Sequence, residues 1–182
     1  MSDLCELVLY ACPVGKLEEQ LEAYFACSRT RCGENAAHQY MPHCTLTGFF
    51  RSEPAKIPLY IQALSRTLRA ALPTMPNPVI AVTGMQLAPE IHCLELESPW
   101  LRQLVAKFAT RVVSATRQES LRPKRWLHLS LAYGFDPGHR RALEQLAARM
   151  VDPQAPVTWE MRFYERRPDG SWMCHARWPL RT

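Results

Sequence analysis

Two short stretches of the sequence carry the same combination of histidine, hydroxyl and apolar residues. The first, HCTLTGFF, starts at His43, and the second, HLSLAYGF, starts at His128. Both follow the pattern H-x-[T/S]-L-x-x-x-F, so Thr45 in the first corresponds to Ser130 in the second. A lone histidine on a strand is usually structural or solvated. Recurrence of the whole pattern in one register favours a shared chemical function instead.

The chemistry that this pattern favours is acid–base catalysis at a phosphate. Side chains on a strand alternate between its two faces, so each histidine shares a face with its hydroxyl, opposite apolar residues. If the two strands lie side by side, His43, His128, Thr45 and Ser130 converge on one cleft. One neutral histidine then takes a proton from the nucleophile, and the other, protonated, donates to the leaving oxygen. The hydroxyls donate to the non-bridging phosphate oxygens.

A metal site is the weaker interpretation of the same histidines. A third ligand such as His38 or His92 would be needed, no H-x-x-x-H occurs, and carboxylates do not cluster near His43 or His128. We therefore predict no metal and no other cofactor. The remaining histidines recur in no matching stretch and lie outside the predicted site: His38, His92, His139 and His175.

Aromatic and basic residues beside the two stretches are candidates for substrate contacts. The aromatic ones could stack on a base, although packing within the protein explains them equally well: Tyr40, Phe49, Trp126 and Tyr133. Strand alternation puts Tyr133 on the face opposite His128 unless a β-bulge intervenes. Lys124 and Arg125 could contact a phosphate or could simply be solvated charges.

Composition is compatible with one soluble domain spanning residues 1–182. Of these residues, 47% are hydrophobic and 21% charged, and the formal net charge is +5. The positive balance suits an anionic ligand and also an ordinary basic surface. No apolar run reaches 18 residues, and the N-terminal segment is acidic where a signal peptide is basic, so we expect a cytoplasmic protein. The seven scattered cysteines predict free, mostly buried thiols.

Hydrophobic periodicity predicts an α+β fold. The predicted strands cover about 5–13, 41–50, two segments within 79–98, 122–135, and a terminal hairpin at 157–180 turned at PDG. The predicted helices cover about 16–28, 57–72, 99–112 and 139–150. A proline-rich connection at 73–78 lies near the middle of the chain. Because the two histidine strands fall in corresponding halves, we predict two pseudo-symmetric lobes. Each lobe is a small antiparallel or mixed sheet backed by helices, and the site lies in a cleft between them.

The paired H-x-[T/S] strands resemble the two-histidine (2H) phosphoesterases. More closely, LVLYACPVG, MPHCTLTGFF and LHLSLAYGF resemble the two-histidine domain of the suppressor of T-cell receptor signalling (Sts) proteins, over roughly residues 5–135. The resemblance implies a bilobal fold and a metal-independent phosphodiesterase. It also implies that His43 and His128 are the acid–base pair and that Thr45 and Ser130 bind the phosphate. Serine at 130 departs from the commoner threonine but keeps the hydroxyl.

We therefore expect an enzyme, a phosphoric diester hydrolase that opens 2′,3′-cyclic phosphates or cleaves 2′,5′-phosphodiester linkages. The alternatives are a non-catalytic module that binds nucleotides or RNA ends, and a protein-interaction scaffold that keeps the cleft. The expected partner is a nucleotide or short oligonucleotide. We expect a monomer that binds neither a membrane nor duplex DNA. The other domains of the Sts proteins have no counterpart in this sequence, so their partners are not expected to carry over.

Overall fold

Strands and helices alternate along the chain much as the hydrophobic pattern predicts. The computed structural model describes residues 4–71, 79–112 and 121–180, and the predicted connection at 73–78 lies outside them. The strands are β1 Cys5–Val14, β2 Cys44–Thr45, β3 Phe50–Ser52, β4 Ala81–Leu87, β5 Ile91–Glu97, β6 Leu127–Tyr133, β7 Thr158–Arg166 and β8 Trp172–Leu180. The α-helices are α1 Lys16–Cys32, α2 Ile57–Ala71, α3 Pro99–Arg111 and α4 Arg140–Met150. Short 3₁₀ turns cover Ala36–Gln39, Pro54–Lys56 and Pro137–His139.

The described strands form one sheet rather than the two small sheets that we predicted. Its order is β4-β5-β6-β2-β1-β7-β8, β3 pairs with β1, and the pairings between these strands are antiparallel. Strand β2 joins the two parts of the sheet, which are β4-β5-β6 on one side and β1-β7-β8 on the other. There, Cys44 of β2 pairs with Leu129 of β6. Pairing there satisfies backbone groups that two separate sheets would expose at their edges. The pseudo-two-fold relation between the halves stays a prediction.

The helices cover one face of this sheet and leave part of the other available for a site. On β1, Leu7 and Leu9 are fully buried in the main core beneath the helices. Helix α1 packs against α4, and α2 packs against α3. The alternate residues Val8 and Tyr10 belong to a smaller cluster on the opposite face, together with Tyr164. The period of two along β1 therefore separates the core from the face that carries the motif side chains.

The first motif strand is shorter than predicted because side-chain and loop hydrogen bonds replace its ladder. The Leu46 and Thr47 amides both donate to the Leu9 carbonyl, at 2.9 and 3.4 Å, and Thr47 Oγ1 accepts from the Leu9 amide at 3.1 Å. The Gly48 amide then donates to the Arg122 carbonyl at 2.9 Å. The predicted strand at 41–50 is thus divided into β2 and β3, with an irregular segment between them.

The cysteines are unpaired, as their scattered positions predict. All seven cysteines are free thiols, and the buried ones are Cys12, Cys32, Cys44 and Cys93. Among the helices of the described residues, none is both long and apolar enough to cross a bilayer.

Candidate active site

Antiparallel pairing of β2 with β6 brings the two motifs together. Since Cys44 is the registered partner of Leu129, His43 lies across from Ser130 and Thr45 across from His128. Opposed residues point to the same face, so both imidazoles and both hydroxyls project together. Cys44 and Leu129 are fully buried on the core face, whereas the four motif side chains are only half-buried.

A cavity of about 550 Å³ lies on this face and is lined by the four motif side chains. Five further predicted candidates line it: Tyr40, Phe49, Lys124, Trp126 and Tyr133. Arg125 does not, so the prediction that it belongs to the site lacks support from this geometry. Among the residues that the structure describes, no aspartate or glutamate lines the cavity, while Arg122 and Lys124 do. The site is therefore suited to an anion.

His43 presents its Nε2 atom for chemistry because its other ring nitrogen is occupied. Nδ1 lies 2.8 Å from the Met41 carbonyl, which can only accept, so Nδ1 carries the proton and Nε2 is free to act as a base. The imidazole lies over Tyr10, with ring centroids 3.9 Å apart. Burial lowers the pKa of His43 to about 4, the Met41 hydrogen bond opposes that shift, and nearby His128 adds to it. His43 is therefore neutral near pH 7.

His128 has a different environment at the opposite side of the cavity. Its imidazole stacks on Trp126, with ring centroids 3.8 Å apart and planes inclined by 26°. Burial lowers the pKa of His128, the backbone of Trp126 opposes the shift, and the charge of Lys124 adds to it. The Nδ1 atom of His128 is buried and has no hydrogen-bond partner in the described chain. Trp126 itself is 48% exposed.

A β-bulge explains why Tyr133 reaches the cavity despite simple alternation. On β6, Ser130 pairs with Cys93 but Ala132 pairs with His92, so Leu131 is an extra residue in the ladder. Leu131 and Ala132 are consequently both buried, and the alternation is reset. Tyr133 then lies on the cavity face. Burial raises the pKa of its hydroxyl, and the neighbouring Tyr40 raises it further.

Sequence reasoning missed Tyr10, Thr47 and Arg122, which also line the cavity. Tyr10 is the registered partner of Thr45, so it lies on the motif face immediately beside His43. Its pattern in the sequence is that of an ordinary buried strand residue, and only the pairing of β1 with β2 reveals its position. Burial raises the pKa of its hydroxyl above the usual range, so Tyr10 stays protonated.

The histidines left out of the predicted site do not line the cavity. His38 lies within the 3₁₀ turn Ala36–Gln39, where its ring contacts the Ser28 hydroxyl at 2.9 Å and accepts a hydrogen bond from the Asn35 amide. His175 lies 2.7 Å from the Glu165 carboxylate on the terminal hairpin. In the described ranges, no three His, Cys, Asp or Glu side chains are grouped so that they could hold a metal ion.

An α+β chain whose two H-x-[T/S] segments meet over one cavity has the arrangement expected of a two-histidine phosphoesterase domain. No protein-family model matches the chain. Individual relatives do match. The chain is 33% identical to mouse ubiquitin-associated and SH3 domain-containing protein A over 164 residues, 88% of this chain and 26% of that protein. It is 31% identical to human protein B over 163 residues, 88% of this chain and 25% of that protein.

An insect protein is similar to the same extent. The ecdysteroid-phosphate phosphatase of Drosophila melanogaster is 30% identical over an alignment of 203 positions, gaps included, which covers 90% of this chain and 26% of that protein. The chain thus spans about a quarter of the length of these curated relatives. The resemblance inferred from the motifs is confirmed: nearly the whole chain is homologous to one region of the Sts group, the ubiquitin-associated and SH3 domain-containing proteins.

Proposed function

We propose that this chain is a metal-independent nucleotide phosphodiesterase that hydrolyses 2′,3′-cyclic phosphates or cleaves 2′,5′-phosphodiester linkages. The name of one relative, ecdysteroid-phosphate phosphatase, denotes hydrolysis of a phosphate ester and supports phosphoester chemistry in general. The matched region is a quarter of that protein, so the type of ester is argued from the site itself.

One observation carries the proposal: the registered pair Cys44 and Leu129 places two imidazoles and two hydroxyls on the same face of the sheet, over one cavity. Two proton carriers are what a displacement at phosphorus needs, since one proton leaves the nucleophile and another reaches the departing oxygen. Thr45 and Ser130 supply hydrogen-bond donors for the charge on the non-bridging oxygens. A binding site without turnover has no need of the paired histidines.

The unequal surroundings of the histidines divide their roles. His43, neutral and with Nε2 unprotonated, accepts the proton of the nucleophile. His128 is the acid, because the aromatic face of Trp126 favours its protonated ring and the anionic phosphate in the cavity does the same. The charge of Lys124 works against this protonation, and the negative charge of the bound phosphate favours it.

The same two groups serve either substrate. With a 2′,3′-cyclic phosphate, water attacks phosphorus and gives its proton to His43. One P–O(ribose) bond breaks, and that ribose oxygen takes the proton of His128. With a 2′,5′ linkage, the neighbouring 3′-hydroxyl attacks and gives its proton to His43, and the 5′-oxygen of the next nucleoside leaves with the proton of His128. The products of the second reaction are a 2′,3′-cyclic phosphate and a free 5′-hydroxyl.

The proposal is tested by turnover of 2′,3′-cyclic AMP and 2′,5′-linked ApA in EDTA, with wild type, His43→Ala and His128→Ala. We expect wild type to act on at least one substrate, and each variant to lose on the order of 10²–10⁴-fold in rate. A matched control is His175→Ala, which removes a histidine remote from the cavity. Activity that disappears in EDTA, or that survives in both motif variants, contradicts the proposal. Binding of both nucleotides without turnover supports a binding module instead.

A further inference from the structure

The cavity has a cationic side that the two-histidine mechanism does not use. Lys124 lines the cavity and is exposed at its rim, where it lies close enough to His128 for its charge to act on the imidazole. Within the described part of the chain, the Lys124 ammonium forms no hydrogen bond or ion pair. Arg122 lines the same side, with its Nη2 atom 3.4 Å from the Phe49 carbonyl. The catalytic steps need only the histidines and the hydroxyls.

The backbone holds these two cations in place, so their position beside the motifs is built into the fold. The Lys124 amide donates to the Leu46 carbonyl at 2.9 Å, and the Gly48 amide donates to the Arg122 carbonyl at 2.9 Å. Pro123, between them, forms an isolated bridge with Thr47. Segment 122–124 therefore continues the pairing of the two motif regions beyond β2, and it carries Arg122 and Lys124 along the edge of the cavity.

The glycine at 48 is part of this arrangement. A methyl group at Gly48 would lie 3.3 Å from Nε of Arg122 and 3.5 Å from its Nη2, so the guanidinium packs directly over the glycine. The exposed ammonium of Lys124 and the guanidinium of Arg122 lie beside a cavity that no carboxylate of the described ranges lines. This side of the cavity therefore has a positive potential. Arginine and lysine are the side chains that proteins use to bind phosphate.

We propose that Lys124, with Arg122 beside it, forms a second phosphate subsite next to the catalytic one, so that the preferred substrate is an oligonucleotide carrying a phosphate adjacent to the scissile linkage. This inference rests on the proposed function, and it favours a 2′,5′-linked oligonucleotide over a cyclic mononucleotide, which has only one phosphate. Lys124 lines the same cavity as His128 and Ser130, so the two subsites lie within one cavity.

The test compares kcat/KM for 2′,5′-linked ApA with kcat/KM for the same dinucleotide bearing one additional phosphate, on its 5′ end or on its second ribose. One charge-assisted contact predicts that wild type prefers one of the two phosphorylated forms by about tenfold. Lys124→Gln brings this ratio close to one, and Lys124→Arg retains it. The preference also decreases as salt is raised in wild type, because the subsite is exposed. In Lys124→Gln, which has little preference left, salt has little effect on the ratio.

Arg125→Gln is the matched control, because Arg125 is the next cation of the same loop but does not line the cavity. We expect this variant to keep the wild-type ratio of the kcat/KM values. The inference is overturned if wild type uses neither phosphorylated dinucleotide better than the unmodified one, an outcome that leaves the proposed function intact. It is also overturned if Lys124→Gln lowers both kcat/KM values by the same factor, since Lys124 then acts on the scissile phosphate. Failure of wild type to turn over any of these substrates overturns the proposed function as well.

Discussion

The indole of Trp126 stacks on the imidazole of His128, with ring centroids 3.8 Å apart and the planes 26° from parallel. The indole is 48% exposed, so burial of apolar surface does not fully explain its position. The contact fixes the orientation of an imidazole whose Nδ1 has no regular hydrogen bond in the described chain. We therefore expect Trp126 to position the proposed acid.

Removal of this indole should impair the acid step. We expect Trp126→Ala to lower kcat on 2′,5′-linked ApA by roughly ten- to a hundredfold, because small displacements of a catalytic group are costly. Trp126→Phe should keep part of the rate. Steady-state kinetics of both variants, alone and combined with His128→Ala, measures the effect. Leu59→Ala, another exposed apolar residue that does not line the cavity, serves as the control. A further loss in the His128→Ala background would show that Trp126 acts elsewhere.

The pKa shifts predict an acidic pH optimum for kcat/KM. The base must be neutral, so activity decreases as the pH falls through the His43 pKa of about 4. The acid must be protonated, so activity also decreases as the pH rises through the His128 pKa, which lies below the usual histidine value of about 6.5. We expect a bell-shaped profile with its maximum between these limits. A flat profile from pH 5 to 8, or a maximum above pH 7, contradicts the assignment.

Burial of neutral His43 should also make folding stability depend on pH. Its pKa is about 4 in the folded chain and about 6.5 when unfolded, so the unfolded state binds the proton more readily. The contribution is complete above pH 6.5 and is lost as the pH falls towards 4, at a total of about 3 kcal/mol. Urea unfolding at pH 7.5 and at pH 4 should show a smaller pH dependence for His43→Gln than for wild type. Equal dependence in the two proteins contradicts this environment for His43.

Thr45 and Thr47, two residues apart, have different roles, and the same substitution at each position distinguishes them. The Thr45 hydroxyl faces the cavity, whereas buried Thr47 Oγ1 accepts from the Leu9 amide at 3.1 Å. Thr47→Val leaves that buried donor unsatisfied and should cost about 1–3 kcal/mol of unfolding free energy. Thr45→Val should leave stability nearly unchanged, since valine suits a strand, and should lower kcat by about ten- to a hundredfold. Denaturation and kinetics of both variants check this, and the reverse pattern would exchange their roles.

The placement of each motif histidine on the same strand face as its hydroxyl could be predicted from the sequence because it depends on local alternation. His43 and His128 each share a face with a hydroxyl whatever the wider topology, and recurrence of the pattern indicated a common purpose. Burial of Cys44 and Leu129 on the opposite face confirms that alternation. The helices and the terminal hairpin followed from equally local periodicity.

The remaining features depend on long-range pairing, which the sequence does not encode locally. Tyr10 reaches the site through its register with Thr45, 35 positions along the chain, and Tyr133 does so through the bulge at Leu131. Continuity of the sheet depends on the two-residue strand β2. Lys124 and Arg125 look alike in the sequence, and only the bonding of segment 122–124 to the first motif region places one of them in the cavity and not the other.

The separate roles of His43 as base and His128 as acid are tested most directly with adenosine 2′-(4-nitrophenyl phosphate), a substrate whose leaving group needs no proton. Its 3′-hydroxyl attacks as in the 2′,5′ reaction, but 4-nitrophenolate departs unprotonated. We expect His128→Ala to lose about 10²–10⁴-fold on 2′,5′-linked ApA and less than about tenfold on the nitrophenyl ester, while His43→Ala loses its rate on both. Equal losses for the two variants on the nitrophenyl ester, or the opposite pattern, would contradict the account.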